Sequence, residues 1–179
     1  MREQRFRDDG FRQGRIWDLD LSACFPDETD ISELFIRLTA ILQKEIPIRK
    51  GLLAVRGVGS THFVATATVG ERKTRRNLSL VLPRVSSLFE KVAETGTTYT
   101  EACVEFFSGN SFEKNLLLDD NSNSFVLVPL RHEAHTVAIM GYSSDEPTAF
   151  ALFEEELLAK IVPQLSARIA ASMSPPAAR

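Results

Sequence analysis

Two cysteines, three histidines and one aromatic-rich stretch are the places in this chain where chemistry could reside. Cys24 and Cys103 form no CxxC pair and have no metal-ligand spacing. A thiol-based reductase needs one thiolate to attack and a second to resolve the intermediate. Cys103 stands alone in its region, which counts against that chemistry. His132 and His135 share a turn at i, i+3, but two ligands do not make a zinc site and no carboxylate cluster completes one. A solvated turn is the ordinary reading of that pair and of its neighbourhood, and His62 lies apart from both. No GxSxG elbow, P-loop or HExxH occurs. The residues predict no catalytic group and no metal site, and they name no cofactor.

The stretch Glu101–Asp119 has a different character. Phe106, Phe107 and Phe112 could line an apolar cavity, with Asn110 and Asn115 orienting a ligand inside it. Ligand pockets are mostly apolar, with a few placed polar groups. Thr66, Thr68, Val126 and Val128 are candidates for the floor of such a pocket. The competing reading is that the phenylalanines fill the core, since aromatic side chains mainly occupy space. Arg72, Lys73, Arg75 and Arg76 form a basic loop that could steer an anionic ligand. The ordinary reading is a solvated loop, and steering would need this loop near the pocket mouth.

A frame is needed to position these residues. Asn123–Ser143 reads as two strands, Phe125–Leu130 and Thr136–Tyr142, joined by the turn Arg131–His135. Alternate side chains point to opposite faces of a strand, and here both faces are apolar. The hairpin is therefore covered on both sides and belongs in the middle of a sheet. Asp30 opens a helix with capping-box spacing to Glu33, and Ile31, Leu34, Phe35, Leu38, Ile41 and Leu42 form its stripe up to Pro47. Gly51–Val58 and His62–Val69 predict a hairpin. A second helix is expected over Leu82–Thr95, with Pro83 in its first turn and Gly96 ending it. Thr97–Thr100 is a short strand, and Ala102–Asn123 is expected to be a long loop with one helical turn. Ala149–Ala171 predicts a long helix bent at Pro163.

Bulk properties restrict the classes further. The chain has 179 residues, 44% apolar and 25% charged, with a net charge of -3. This fits one globular domain, residues 29–173, with an extension at 1–28 and a tail or linker at 174–179. The extension reads either as a loose lead-in or as a segment docking through Trp17. The charge gives no reason to expect nucleic-acid binding. No stretch approaches the roughly 20 apolar residues of a membrane span. The charged N-terminus lacks the apolar core of a signal peptide, and the sparse cysteines suit a reducing cytoplasm.

Three stretches together resemble the GAF domain family of small-molecule sensory modules. They are ISELFIRLTAILQKEIPIRKGLLAV, LFEKVAETGTTYTE, and SFVLVPLRHEAHTVAIMGY followed by FALFEEELLAKIVPQLSARIA. The block Val128-Pro129-Leu130 is the most characteristic, and the related PAS fold is the main competitor. The resemblance implies an α+β domain with a central antiparallel sheet of about six strands. Terminal helices would pack on one face, and a ligand pocket or irregular segment on the other. It further implies a non-enzymatic sensor that binds a small molecule, forms a homodimer and regulates an output domain or signalling partner. Leu157, Ile161, Leu165 and Ile169, with Leu38, are the expected dimer stripe. The alternative is an adaptor whose pocket is filled by its own side chains. A third member of the resemblance, free methionine sulfoxide reductase, needs clustered cysteines that this chain lacks.

Overall fold

The computed structural model describes residues 25–173 apart from 27, 28, 58 and 154, and the side chains of 152 and 155–157 lie outside that description. Asp30 caps helix α1 (Ile31–Leu42), accepting the Glu33 amide at 3.2 Å. This replaces a hydrogen bond that the first helical turn cannot make for itself. The helix ends at Leu42, short of Pro47, and the Gln43 side chain donates to the Ile48 carbonyl at 3.0 Å as the chain turns away.

Strands β1 (Lys50–Val55) and β2 (Val64–Val69) form the expected hairpin, with a bulge between Leu53 and Ala54. A strand not foreseen in the sequence follows. β3 (Leu80–Val81) pairs with β2, so Leu82 and Pro83 do not start a helix. Helix α2 (Leu88–Thr95) opens at Ser87. Ser86 holds a positive φ of 53°, which stops the helix from extending backwards. Gly96 closes α2 at φ 65°, where an L side chain would be strained.

β4 (Tyr99–Glu101) comes next, displaced slightly from the expected Thr97–Thr100. The predicted loop after it is instead ordered into a 3₁₀ turn (Val104–Phe106) and helix α3 (Ser111–Leu117). β5 (Ser124–His132) and β6 (His135–Ser144) are the predicted hairpin, each longer than anticipated. The expected single last helix is two pieces, a 3₁₀ turn (Ala149–Leu152) and α4 (Glu155–Met173), and Pro163 lies inside the second.

The sheet has six antiparallel strands in the order β3-β2-β1-β6-β5-β4, so the β5–β6 hairpin sits inside it as expected. Two cores flank it. Under α1 and α4 lie Leu34, Phe35, Leu38, Leu53, Val126, Val128, Met140, Tyr142, Ile161, Leu165 and Ile169. Under α2 and α3 lie Leu52, Ala54, Phe63, Phe89, Leu117, Phe125, Leu127 and Ile139. Ile161, Leu165 and Ile169, read from sequence as a dimer stripe, are thus spent on the domain's own sheet. Leu38 is buried beside them, while the Leu157 side chain lies outside the described residues.

Tyr142 is the largest fully buried side chain among the described residues. Its ring stacks on Phe35, and its hydroxyl lies 3.0 Å from the Thr39 Oγ1. Burial pushes its phenol well above the usual range, with the Thr39 contact opposing. Gly51 pairs with Tyr142 across β1 and β6, and a Cβ there would come within 2.9 Å of the ring. Because Phe35 stacks on that ring and its own Cζ would lie 3.3 Å from the added Cβ, leaving neither ring room to shift, Gly51→Ala is expected to destabilise the domain by about 2 kcal/mol. Urea unfolding of the purified variant measures this, and an unchanged midpoint would show that the ring yields.

Candidate functional site

The site predicted by the sequence lies between the sheet and the segment Glu101–Asp119. Its floor consists of Leu52, Ala54, Phe125, Leu127 and Ile139, with Gly141 between them. Gly141 lets Leu117 of α3 approach the sheet, since a Cβ there would stand 3.0 Å from the Leu117 Cδ1. Leu117, Phe89 and Phe125 are fully buried, and Phe107 meets Phe125 edge-on at 5.3 Å. This side of the sheet is filled by the chain's own side chains.

A carboxylate closes the arrangement. Glu113 of α3 is the one charged residue that is buried among the described residues. Ser87 donates its hydroxyl to it, the Leu88 amide donates at 2.9 Å and the Phe89 amide at 3.4 Å. Glu113 therefore occupies the amino end of α2, where free N–H groups and the helix dipole favour an anion. Burial pushes its carboxyl above the ordinary range, with the bonds from Ser87, Leu88, Phe89 and Asn110 opposing. Gly109 is required beside it, because a Cβ there would sit 2.5 Å from the Glu113 Oε2. The other end of α3 is held by Lys50, whose Nζ donates to the carbonyls of Asn115 at 3.0 Å and Leu118 at 2.9 Å. α3 is thus bolted at its start to α2 and at its end to β1.

The predicted lining residues are distributed differently from expectation. Phe107 packs against this core. Phe106 is 67% exposed, and Phe112 is also exposed. Asn110 is a structural cap: its Oδ1 accepts from the Glu113 amide at 2.9 Å, and its Nδ2 donates to the Pro83 and Val85 carbonyls. The Asn115 side chain is exposed. Val126 and Val128 belong to the opposite core, under α1 and α4, because the alternation along β5 places Phe125 and Leu127 on this side instead. Thr66 and Thr68 are half-buried on β2, with the Thr66 carbonyl accepting from Ser32 of α1.

The sequence missed Glu113, although Asn110 and Glu113 repeat the capping spacing seen at Asp30 and Glu33. It also missed an open groove of about 700 Å³ elsewhere, between the β5–β6 turn, the loop after β1 and the last turns of α4. Arg56, Ser60, His132, His135, Ala167 and Met173 border it. His132 and His135 are exposed there, and among the described residues no group of three His, Cys, Asp or Glu is placed to hold a metal. Cys103 is half-buried and is the one cysteine of the described residues.

A six-stranded antiparallel sheet with terminal helices on one face and a folded middle segment on the other is the fold of a GAF domain. The GAF domain of a phosphoenolpyruvate-protein phosphotransferase from Coxiella burnetii superimposes with a TM-score of 0.64 at 20% identity, over 90% of this chain and 93% of that one. Type II free methionine-R-sulfoxide reductase from Thermoplasma acidophilum has the same fold, with a TM-score of 0.59 at 18% identity over 79% of this chain and 96% of that one. The GAF domain of a two-component sensor histidine kinase from Bacillus halodurans gives 0.56 at 14% identity, over 78% and 90%. No family model matches the sequence, and no curated protein matches it. Among the described residues no helix is long and apolar enough to cross a membrane.

Proposed function

We propose that this chain is a non-enzymatic regulatory module that works as a docking adaptor for an output domain or signalling partner. The observation that carries this reading is the closed face under α3, where Leu117 fills the space at Gly141 and Glu113 occupies the anion seat of α2. Similar folds stand as GAF domains of a sensor kinase and of a phosphotransferase, which supports a role in regulating a neighbour. A reducing cytoplasm suits the free Cys103. The reading includes a homodimer through α1 and α4, whose Ile36, Ile41, Leu158 and Val162 pack against the domain's own core yet stay only half-buried.

A second reading, the small-molecule sensor, has one observation in its favour. Glu113 is a carboxylate supplied by the chain itself, and an acid-bearing ligand that replaced it would release α3 from α2. To signal, such a ligand must bind the open and closed arrangements unequally. The reductase reading has a solitary thiol, Cys103, in the described residues, and its chemistry calls for a second to resolve the intermediate.

Native mass spectrometry of the chain purified without refolding separates the first two readings, and a turnover assay tests the third. The expected spectrum is a dimer of unadorned mass. A retained small molecule would replace the adaptor with the sensor. Turnover of free methionine sulfoxide that disappears in Cys103→Ser would refute the non-enzymatic reading altogether.

A further inference from the structure

Strand β3 ends the sheet on one side, and its outer edge is open among the described residues. The Leu78 amide donates inward to the Thr66 carbonyl and the Leu82 amide to the Phe63 carbonyl, each at 2.8 Å. By the alternation of an antiparallel ladder, the N–H groups of Ser79 and Val81 point outward. Leu80 and Val81, at 39% and 58% exposed, stand beside that edge, and Val85 follows at 81%. An open edge with exposed apolar side chains is a template for another strand.

Charge marks the other end of the same edge. Arg75 continues the ladder by pairing with Thr68, and Arg72, Lys73 and Arg75 are exposed. The ion pairs of this region use Arg76 with Glu33 and Arg49 with Glu71, so Arg72, Lys73 and Arg75 have no carboxylate among the described residues. Between Arg75 and Leu80 the chain leaves regular strand geometry, with Asn77 at a φ of 53°, and the five steps span at most about 17 Å. One edge therefore presents unpaired cations, then outward backbone donors, then exposed apolar side chains.

We propose that this edge docks an extended acidic segment of a partner protein by strand addition. Main-chain bonds to β3 would supply affinity, and the side chains would set register. Antiparallel to β3, the partner would carry its alternating apolar residues first and its carboxylates after them. The inference deepens the adaptor reading by naming the partner's chemistry, and it rests on that reading.

The probe is a fluorescein-labelled decapeptide with alternating valine and threonine in its first half and three glutamates in its second. It is titrated into the full chain and read by anisotropy. Saturable binding on the order of 10 μM is expected for a short added strand. Arg72→Glu with Arg75→Glu should weaken it at least tenfold, and raised salt should weaken it as well. Val81→Pro removes an outward donor while leaving the inward bond of Leu82, and should abolish binding. Val81→Lys, which keeps the outward amide but removes the exposed apolar contact, should weaken binding without abolishing it. Absence of saturable binding overturns the proposal, as does equal binding of a control peptide with lysines in place of glutamates. Binding untouched by either Val81 variant also overturns it, since the site then lies elsewhere. Binding that appears only after residues 1–24 are deleted would make the chain's own N-terminal segment the occupant, and recruitment to anionic vesicles through the same arginines would make it a lipid surface. Either result overturns the partner assignment. A retained small molecule in the native spectrum would overturn the adaptor reading without touching these titrations, so the two failures are distinguishable.

Discussion

Glu113→Ala is expected to lower the stability of the domain by about 3 kcal/mol. The substitution leaves the amides of Leu88 and Phe89 and the hydroxyl of Ser87 without their acceptor in a site sealed from water. Each orphaned buried group costs about 1–3 kcal/mol, and loss of the buried charge returns part of that. Glu113→Gln keeps the shape and one acceptor oxygen, so it should cost roughly 1 kcal/mol. The two variants also separate by pH. The Glu113 carboxyl is raised above its ordinary value, so the folded chain binds that proton more readily than the unfolded chain does. Its contribution is fully present below the ordinary carboxylate pKa and is lost as pH rises through the raised value. Stability of the native chain relative to Glu113→Gln should therefore be greater near about pH 4 than near about pH 7. Urea titrations at both pH values measure the difference, in which the other carboxylates cancel. A difference that grows towards neutral pH would mean that the three donors outweigh burial. Hydrogen exchange in Glu113→Ala should quicken across 111–117 before it quickens in β5 and β6.

The second large effect is Leu165→Ala, at about 3 kcal/mol. Leu165 is fully buried in the core under α1 and α4, between Ile161 and Ile169. Its truncation leaves a cavity in close-packed surroundings. Leu158, half-buried on the same helix, should cost clearly less when cut to alanine. The decisive comparison is with subunit count in sedimentation. Leu165→Ala should unfold more easily while its association is unchanged. Loss of association at unchanged stability would restore this helix stripe to the interface that the sequence suggested.

The β5–β6 hairpin was legible because both of its faces are apolar, and burial on both sides leaves few other places for such a strand. Which face looks at which helices was not legible. A strand's period of two makes Val126 and Val128 as good a floor as Phe125 and Leu127 until the register is known. β3 escaped because two residues carry no period, and Pro83 beyond them imitates a helix start. The true start at Ser87 has the same spacing to Glu90 that identified α1. α3 carries that signature too, at Asn110 and Glu113, but its seven residues and scattered apolar positions look like a loop. The phenylalanines misled in one respect. Phe106 and Phe112 are conspicuous in the sequence yet face outward, while the space they were expected to fill is taken by Leu117 and Phe89. The difference lies in the pose of a short helix, which long-range contacts with Lys50 and Ser87 set and local pattern does not.

The middle of the sheet imposes an order of events on the growing chain. β1 lies between β2, its hairpin neighbour, and β6, which joins it through pairs such as Leu53 with Met140 and Gly51 with Tyr142. During synthesis β2 is available to β1 almost at once, but β6 emerges only after β3, α2, β4, α3 and β5 have been made. Until then the apolar run Leu52–Ala54 keeps one edge unsatisfied, and closing that distant pair is the slow, entropically costly step. The nascent chain is therefore most vulnerable to mispairing between the emergence of β2 and that of β6, and a chaperone that shields β1 during that interval would raise the yield of native protein more than one acting after release.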